Sequence, residues 1–463
     1  MGSNRGRLEL SVLLLGVLLL GLTPYPHAFT AAIRQAGLYR ASRDYGAALG
    51  AYQQAASLDP ESPLPWLGTG EVLLTQHRFA EAGIAFQQAR WLGAGAPALL
   101  GQGDSLLGLG DSAAALNAWL AALALAPADA RVYVALGRGA IAQGQFDLAG
   151  RFLAKALRLG PSADQAATAH GLLGRLLAGD DPDAAVSHFR QAGDDEWLAI
   201  LDAARAESDP ARRFLLLGAA FLQRDDLTLA RTYYERALAL STSAEACAYL
   251  GHVLDRLGDT VAAEAMFQQA LDLDPDSVLA QYFLGVHLRQ VGNVTGAQAT
   301  LWAAMQRDPE NAALRAQMSE AFLDLGDYSH AEEWIQAAVD VAPRDIEFHL
   351  LLVHFYLDHL YRVEDGGLPA AEAAVALAPG DARAQDLLGW AYQLAGRVED
   401  SRQALDRALA LDPDLVSAHY HLGSLYLNIG QPDLARQHLQ RAADLDTDGY
   451  YRSRAEALLR GLK

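Results

Sequence analysis

Three histidines in one short stretch, His349, His354 and His359, are the first place to look for metal chemistry. A helical metal pair needs imidazoles at i and i+4 on one face. A spacing of five turns successive rings around the helix axis instead. Acidic runs such as Asp272-Leu273-Asp274-Pro275-Asp276 have the carboxylate density of a calcium loop. Runs of this kind recur at regular intervals ahead of apolar helical patterns, where Asp is suited to cap the next helix by accepting its first free amides. Cys247, the single cysteine, has no partner for an internal disulfide and stands where a helix core residue is expected, so a buried, inert thiol is the expectation. HExxH, CxxC, a phosphate-cradling loop and a nucleophile elbow are all missing, and the glycines fall at turns. These residues predict no catalytic centre, no metal site and no cofactor.

The elements that would hold any site are set by repetition. Pro275, Pro309, Pro343, Pro379 and Pro413 lie 34, 34, 36 and 34 residues apart, each closing a run of leucines, alanines and a glycine. A period in the thirties belongs to stacked helical units, each packing on its neighbours. One unit reads clearly: Ala248-Tyr249-Leu250-Gly251, then Leu254, Gly258, Ala263, Phe267, Ala270 and Pro275. Leu250, Gly251 and Leu254 share a face of a first helix, and Ala263, Phe267 and Ala270 a face of a second. Gly258 makes the turn, Pro275 ends the unit, and Phe267 fills space beside the small Gly251 and Ala263.

This pattern resembles the tetratricopeptide repeat, a helix–turn–helix of 34 residues. The similarity recurs through Trp66, Gly70, Ala82 and Phe86, then Leu99, Gly103, Ala115 and Trp119, then Leu136, Gly137 and Ala149. It continues through Leu217, Gly218 and Tyr234, Leu284, Gly285 and Ala297, Phe322, Gly326 and Ala331, Leu388, Gly389 and Tyr392, and Leu422, Gly423 and Tyr426. The resemblance implies an all-α, right-handed α-solenoid of about twelve repeats that binds proteins and is no enzyme. It departs from the pattern at the shortened turn Gly179-Asp180-Asp181-Pro182, in the helix-like stretch Trp197 to Leu201, and in a tenth unit with Val353 at the usual small position and a long turn, Arg362 to Leu368.

Charge and the N-terminus bear on partners. Among 463 residues, 36 basic and 56 acidic side chains leave a formal charge of −20, which argues against nucleic acid and favours basic or neutral partners. Lys155 and Lys463 are the only lysines, and this arginine bias with the alanine richness reads as a high-GC bacterial composition. After Arg5 and Arg7, the run from Leu10 to Leu22 carries no charge and is followed by Pro24. It reads as a signal anchor, with the repeats on the extracytoplasmic side of a single-pass protein. The alternatives are secretion after cleavage near Thr30 and Ala32, and a buried first helix that merely caps the stack of a cytoplasmic scaffold.

The expected organisation is therefore a basic stub (1–7), a signal anchor or transmembrane segment (8–24), an N-terminal repeat block (29–192), an irregular helical seam (193–210), a C-terminal repeat block (211–447) and a capping helix (448–463). In this family the first helices line the concave groove. Projecting the register places Tyr249, His252, Tyr282, Phe283, His354, Trp390, Tyr420 and His421 there in the C-terminal block, against Leu67, Gly68, Leu100, Gly101, Val134 and Ala135 in the N-terminal one. Aromatic and histidine side chains suit recognition, because they bury area at little entropic cost while keeping a polar handle. The expected function is a membrane-anchored scaffold that binds a protein or peptide. A glycan-holding accessory subunit of a cell-envelope polysaccharide or glycosyl-transfer machine is the alternative.

Overall fold

The structure is a computed structural model and describes residues 27–446 and 449–462. The stub and the apolar anchor lie outside the described residues. Among the described residues no strand is present, and no helix is long and apolar enough to cross a membrane.

The helices are α1 (His27–Ala41), α2 (Tyr45–Leu58), α3 (Leu64–Thr75), α4 (Phe79–Trp91), α5 (Ala96–Gly108), α6 (Ser112–Leu125), α7 (Ala130–Ala142), α8 (Phe146–Arg158), α9 (Ala163–Leu177), α10 (Pro182–Ala192), α11 (Asp195–Ala206), α12 (Pro210–Gln223) and α13 (Leu227–Leu240). They continue with α14 (Ala244–Arg256), α15 (Thr260–Leu273), α16 (Val278–Gln290), α17 (Val294–Arg307), α18 (Ala312–Leu323), α19 (Tyr328–Val341), α20 (Ile346–Asp358), α21 (Leu368–Leu377), α22 (Ala382–Leu394), α23 (Val398–Leu411), α24 (Val416–Asn428), α25 (Pro432–Leu445) and α26 (Tyr450–Gly461). Twelve consecutive pairs form helical hairpins. Among the described residues two helices, α11 and α26, stand outside these pairs.

Local chemistry explains the hairpins. In the turn of most repeats an Asp or Asn caps the second helix: Asp111 accepts from the Ala114 amide at 2.9 Å, Asp259 from Ala262 at 3.1 Å and Asn293 from Gly296 at 3.1 Å. At repeat junctions Asp129, Asp345 and Asp381 cap the following first helix. The acidic run at 272–276 departs from that expectation. There Ser277 is the cap, and Asp274 instead closes the turn by accepting from the Asp276 amide at 3.1 Å. Junction prolines leave a carbonyl that the next helix satisfies with a side chain at one register position, Gln281 on Pro275, His349 on Pro343 and His419 on Pro413.

Within a hairpin, small residues of the first helix receive large ones of the second. A Cβ on Gly251 would lie 2.6 Å from the Phe267 ring, and one on Gly285 2.7 Å from Leu301. Phe267, Ala263 and Ala270 are all fully buried. The tenth repeat follows its sequence departures: Val353 is fully buried, and the long turn carries a π-helical step, Val363–Gly367.

The chain divides into two compact units. Unit 1 comprises residues up to Ala128 together with Gln440–Ala457, and unit 2 comprises Asp129–Leu439 with Leu458–Lys463. This division falls at 128/129, whereas residues 193–210 lie inside unit 2. The stretch read as an irregular seam contains a regular helix, α11, with Trp197, Leu201 and Ala204 buried. Trp197 stacks on Phe189 at 5.5 Å, meets Phe221 at 4.6 Å, and lies under the guanidinium of Arg224. The shortened turn beside α10 is used as well. Tyr233 of α13 reaches it, its hydroxyl donating to the Arg175 carbonyl and accepting from the Gly179 amide, both at 3.1 Å.

In unit 1 the last helical segment packs on the first repeats. The buried Asp444 carboxylate accepts from the Gly46 amide at 2.9 Å and from Gln76 at 3.3 Å, and Arg441 donates to the Arg43 carbonyl at 2.6 Å. Desolvation raises the Asp444 carboxyl above its ordinary range. The closing segment, read as a capping helix, buries Arg452 and Ala455. Cleavage near Thr30 and Ala32 would cut inside α1 and remove Phe29, itself buried.

Candidate functional site

Unit 2 carries all eight groove candidates, on the first helices α14, α16, α20, α22 and α24. They occupy three register positions relative to the small residue of the repeat. Tyr282 and Tyr420 stand three before it, Tyr249, Phe283 and His421 two before, and His252, His354 and Trp390 one after.

The structure gathers most of them into two clusters. In the first, His252 stacks on Phe283 at 4.5 Å, Tyr249 and Tyr282 meet the Phe283 ring edge-on at 5.6 and 5.5 Å, and Tyr249 lies flat on Tyr234 of α13 at 5.5 Å. In the second, Trp390 stacks on His421 at 4.8 Å and Tyr420 meets it edge-on at 5.7 Å. Seven of the eight are half-buried. His421 is only 4% exposed and pairs with the buried Asp386 at 2.8 Å, so it supports the Trp390 ring rather than offering surface. Desolvation lowers the pKa of His252 and raises those of Tyr249 and Tyr282, so His252 is neutral and both phenols stay protonated near neutral pH.

His354 stands apart from both clusters. It bonds Asp358 at 3.2 Å and lines a cleft of about 340 Å³ with Arg289, Gln317, Glu320, Phe355 and His359. Arg289 is the hub of this cleft, bridging Asp324 at 2.8 Å, Glu320 at 3.4 Å and Gln317 at 3.2 Å. Sequence reasoning missed Arg289, because its partners sit one repeat further on and no local spacing marks them. His359 shares this cleft with His354, but among the described residues no three or more His, Cys, Asp or Glu side chains converge on a potential ion. Cys247 is buried, and desolvation pushes its thiol upward, away from nucleophilic use.

A second cleft of unit 2, about 510 Å³, lies between α8, the α9–α10 turn and α13, lined by Phe146, Arg151, Leu176, Asp180, Tyr233 and Arg236. Its charges are balanced, with Arg236 Nη2 donating to both Asp180 carboxylate oxygens at 2.7 and 2.9 Å, and burial pushes the Tyr233 phenol up to about 12.

At two of the corresponding N-terminal positions the space for a side chain is filled from behind. A Cβ on Gly68 would sit 2.2 Å from the Tyr52 ring, and one on Gly101 2.3 Å from Phe86. Leu100, Val134 and Ala135 are buried and Leu67 half-buried.

Among curated proteins there is no match. Similar solved structures include yeast Tom70, at 16% identity over 94% of this chain and 95% of that one with a TM-score of 0.46. MamA from Desulfovibrio magneticus RS-1 is similar at 26% identity, covering 36% of this chain and 94% of that one, with a TM-score of 0.31. YrrB, described as a TPR protein with an unusual peptide-binding site, is 18% identical over 41% of this chain and 97% of its own, with a TM-score of 0.31. Families described as "Tetratricopeptide repeat" match residues 33–97, 100–164, 250–312, 288–354 and 416–448, and one described as "TPR repeat" matches 389–430. With the hairpins, their small-to-large packing and these matches in agreement, the chain belongs to the tetratricopeptide-repeat proteins.

Proposed function

We propose that this chain binds a protein or peptide partner along the first helices of its C-terminal repeats, and that it carries out no chemistry of its own. The tetratricopeptide fold supports a protein-interaction scaffold. The observation that carries the finer reading is the pair of half-exposed aromatic clusters around Phe283 and around Trp390; at the register position of Phe283 the N-terminal repeats instead have Gly68 and Gly101, whose side-chain space Tyr52 and Phe86 fill. Aromatic anchors held by their neighbours lose little entropy on binding and commonly contribute about 2 kcal/mol or more each, roughly thirty-fold in affinity. The Arg289 cleft between the clusters adds charged groups of both signs, which suits a peptide backbone and polar side chains better than a purely apolar ligand.

The test is the triple variant Tyr282→Ala, Trp390→Ala and Tyr420→Ala against the unaltered chain, in capture from membranes of the source cell. Lost capture with helicity and melting nearly intact is the expected result. Normal capture, or a variant that unfolds, would sink the groove reading. Salt gives a second check: aromatic anchoring should survive about 1 M salt, where the screening length falls to about 3 Å, while attraction of a basic partner to the acidic surface should fade.

For location, the uncharged run from Leu10 to Leu22 behind Arg5 and Arg7 supports attachment to a membrane with the repeats on its outer side. A reporter fused after Lys463 should then be active outside the cytoplasm, with the full-length chain in the membrane fraction. Full-length soluble protein would remove the anchor from this reading.

A further inference from the structure

Two pairs of histidines unrelated to the groove face each other nitrogen to nitrogen. His419 of α24 and His438 of α25 bring their Nδ1 atoms to 3.1 Å, and His170 of α9 and His188 of α10 bring theirs to 2.8 Å. The two pairs occupy the same places in their repeats. His170 and His419 stand four residues before the small Gly174 and Gly423, and His188 and His438 stand one residue before Phe189 and Leu439, the side chains that a Cβ on those glycines would strike. The chain has 13 histidines, so the same cross-helix pair at one register in two separate repeats is a specific arrangement.

We propose that His419 and His438 form a two-imidazole site for a divalent transition ion of the zinc, nickel and copper class, and that His170 and His188 repeat it. The geometry fits first. Two imidazoles on one such ion, each about 2.0–2.1 Å from it at tetrahedral or right angles, hold their nitrogens roughly 3 Å apart. The tautomer fits second. His419 donates its Nε2 proton to the Pro413 carbonyl at 3.0 Å, which leaves Nδ1 as a bare lone pair facing His438. A backbone carbonyl on the far nitrogen is the usual support of a ligating histidine. The His438 ring is also held, stacked on Tyr426 at 5.6 Å.

The proton balance is simple. In the metal-free pair His438 donates its Nδ1 proton to His419, and on binding that proton passes by way of solvent to His438 Nε2, so two neutral imidazoles face the ion. Water fills the remaining coordination positions. The site ties the two helices of one repeat together and lies in a different part of the register from the aromatic clusters.

The experiment uses the full chain and Zn(II) alone. Equilibrium dialysis in a non-chelating buffer should retain zinc, and added zinc should raise the melting temperature until it saturates. The double variant His419→Gln and His438→Gln should retain one equivalent less than the unaltered chain. The double variant His170→Gln and His188→Gln should also lose zinc, but from a weaker site, since among the described residues no backbone carbonyl meets either far nitrogen. Glutamine keeps a hydrogen-bonding side chain, so metal-free circular dichroism should match that of the unaltered chain and separates lost binding from lost folding. No zinc retained by the full chain, or undiminished zinc on the folded His419→Gln and His438→Gln variant, overturns the proposal.

Discussion

Gly101 in the third repeat and Tyr249 in the seventh hold the same register position, two residues before the small residue of the first helix, and they have opposite fates. At Gly101 the Phe86 ring of the preceding repeat occupies the space a side chain would need. At Tyr249 the position's own ring lies flat on Tyr234, the equivalent ring of the preceding repeat, and remains half-exposed. One repeat spends its aromatic ring on internal packing, and the other adds a second ring that faces outward. At these two positions the difference lies one repeat upstream, in whether the preceding ring takes the space or stacks beneath the side chain that fills it.

The comparison can be broken most directly at Phe86. Phe86→Ala should remove a buried ring that serves both Gly70 and Gly101, at a cost of about 3–5 kcal/mol, whereas Tyr282→Ala in the outward-facing cluster should cost far less. Denaturant unfolding of both variants is the measurement, and equal losses would erase the distinction. Gly101→Tyr imitates the seventh repeat in the third and should cost about 1–3 kcal/mol, because its Cβ would begin 2.3 Å from the Phe86 ring. Combined with Phe86→Ala the loss should be less than the sum of the two, with a coupling of roughly 0.5–3 kcal/mol in a double-mutant cycle. Strict additivity would mean that the ring does not block the position.

Gly285→Leu sharpens the same point inside one hairpin. Overpacking against Leu301 should cost about 1–3 kcal/mol and raise amide exchange in α16 and α17 before it does so in unit 1. Unchanged protection there would refute the packing register. The smallest effect is on pH. His438 has a folded pKa near 4 against an ordinary 6.5, so between those values the unfolded chain takes up a proton that the folded chain refuses. Stability should be complete above about pH 6.5 and decline as pH falls through that window, by about 1 kcal/mol once solvent screening is allowed for. His438→Gln should flatten that part of the profile, and an unaltered slope would show that other groups carry it.

Much of this molecule is legible locally. The hairpins follow from leucines, alanines and a glycine at helical spacing, and the caps from Asp or Asn in the turns, because both are set within one repeat. The candidate site is legible only in part. Register alone placed all eight candidates in one groove, but it could not separate His421, buried on Asp386, from its half-buried neighbours. That distinction depends on a carboxylate 35 residues away. Arg289 escaped for the same reason. The helix at 195–206 lacks the repeat pattern, so the sequence reads as an irregular helical seam, although Trp197 packs it into the core it shares with Phe189 and Phe221. The histidine pairs left a trace that could have been followed: one His four before the small residue and a second 18 or 19 residues later, in two repeats.

The bonds from Asp444 to Gly46 and from Arg441 to Arg43 join residues 398 apart in a chain whose other contacts are overwhelmingly local. A ribosome releases the first three repeats long before it makes their last packing surface. Unit 1 must therefore wait, with the start of α2 and the end of α3 lacking these partners, until almost the whole chain has emerged. Repeat proteins usually fold quickly because their contacts are short-range. Here the final step has the opposite character, a long loop closure whose entropy is recovered only when residues 440–457 arrive. Loss of the last two dozen residues would be felt at the opposite end of the sequence, in the repeats that were synthesised first.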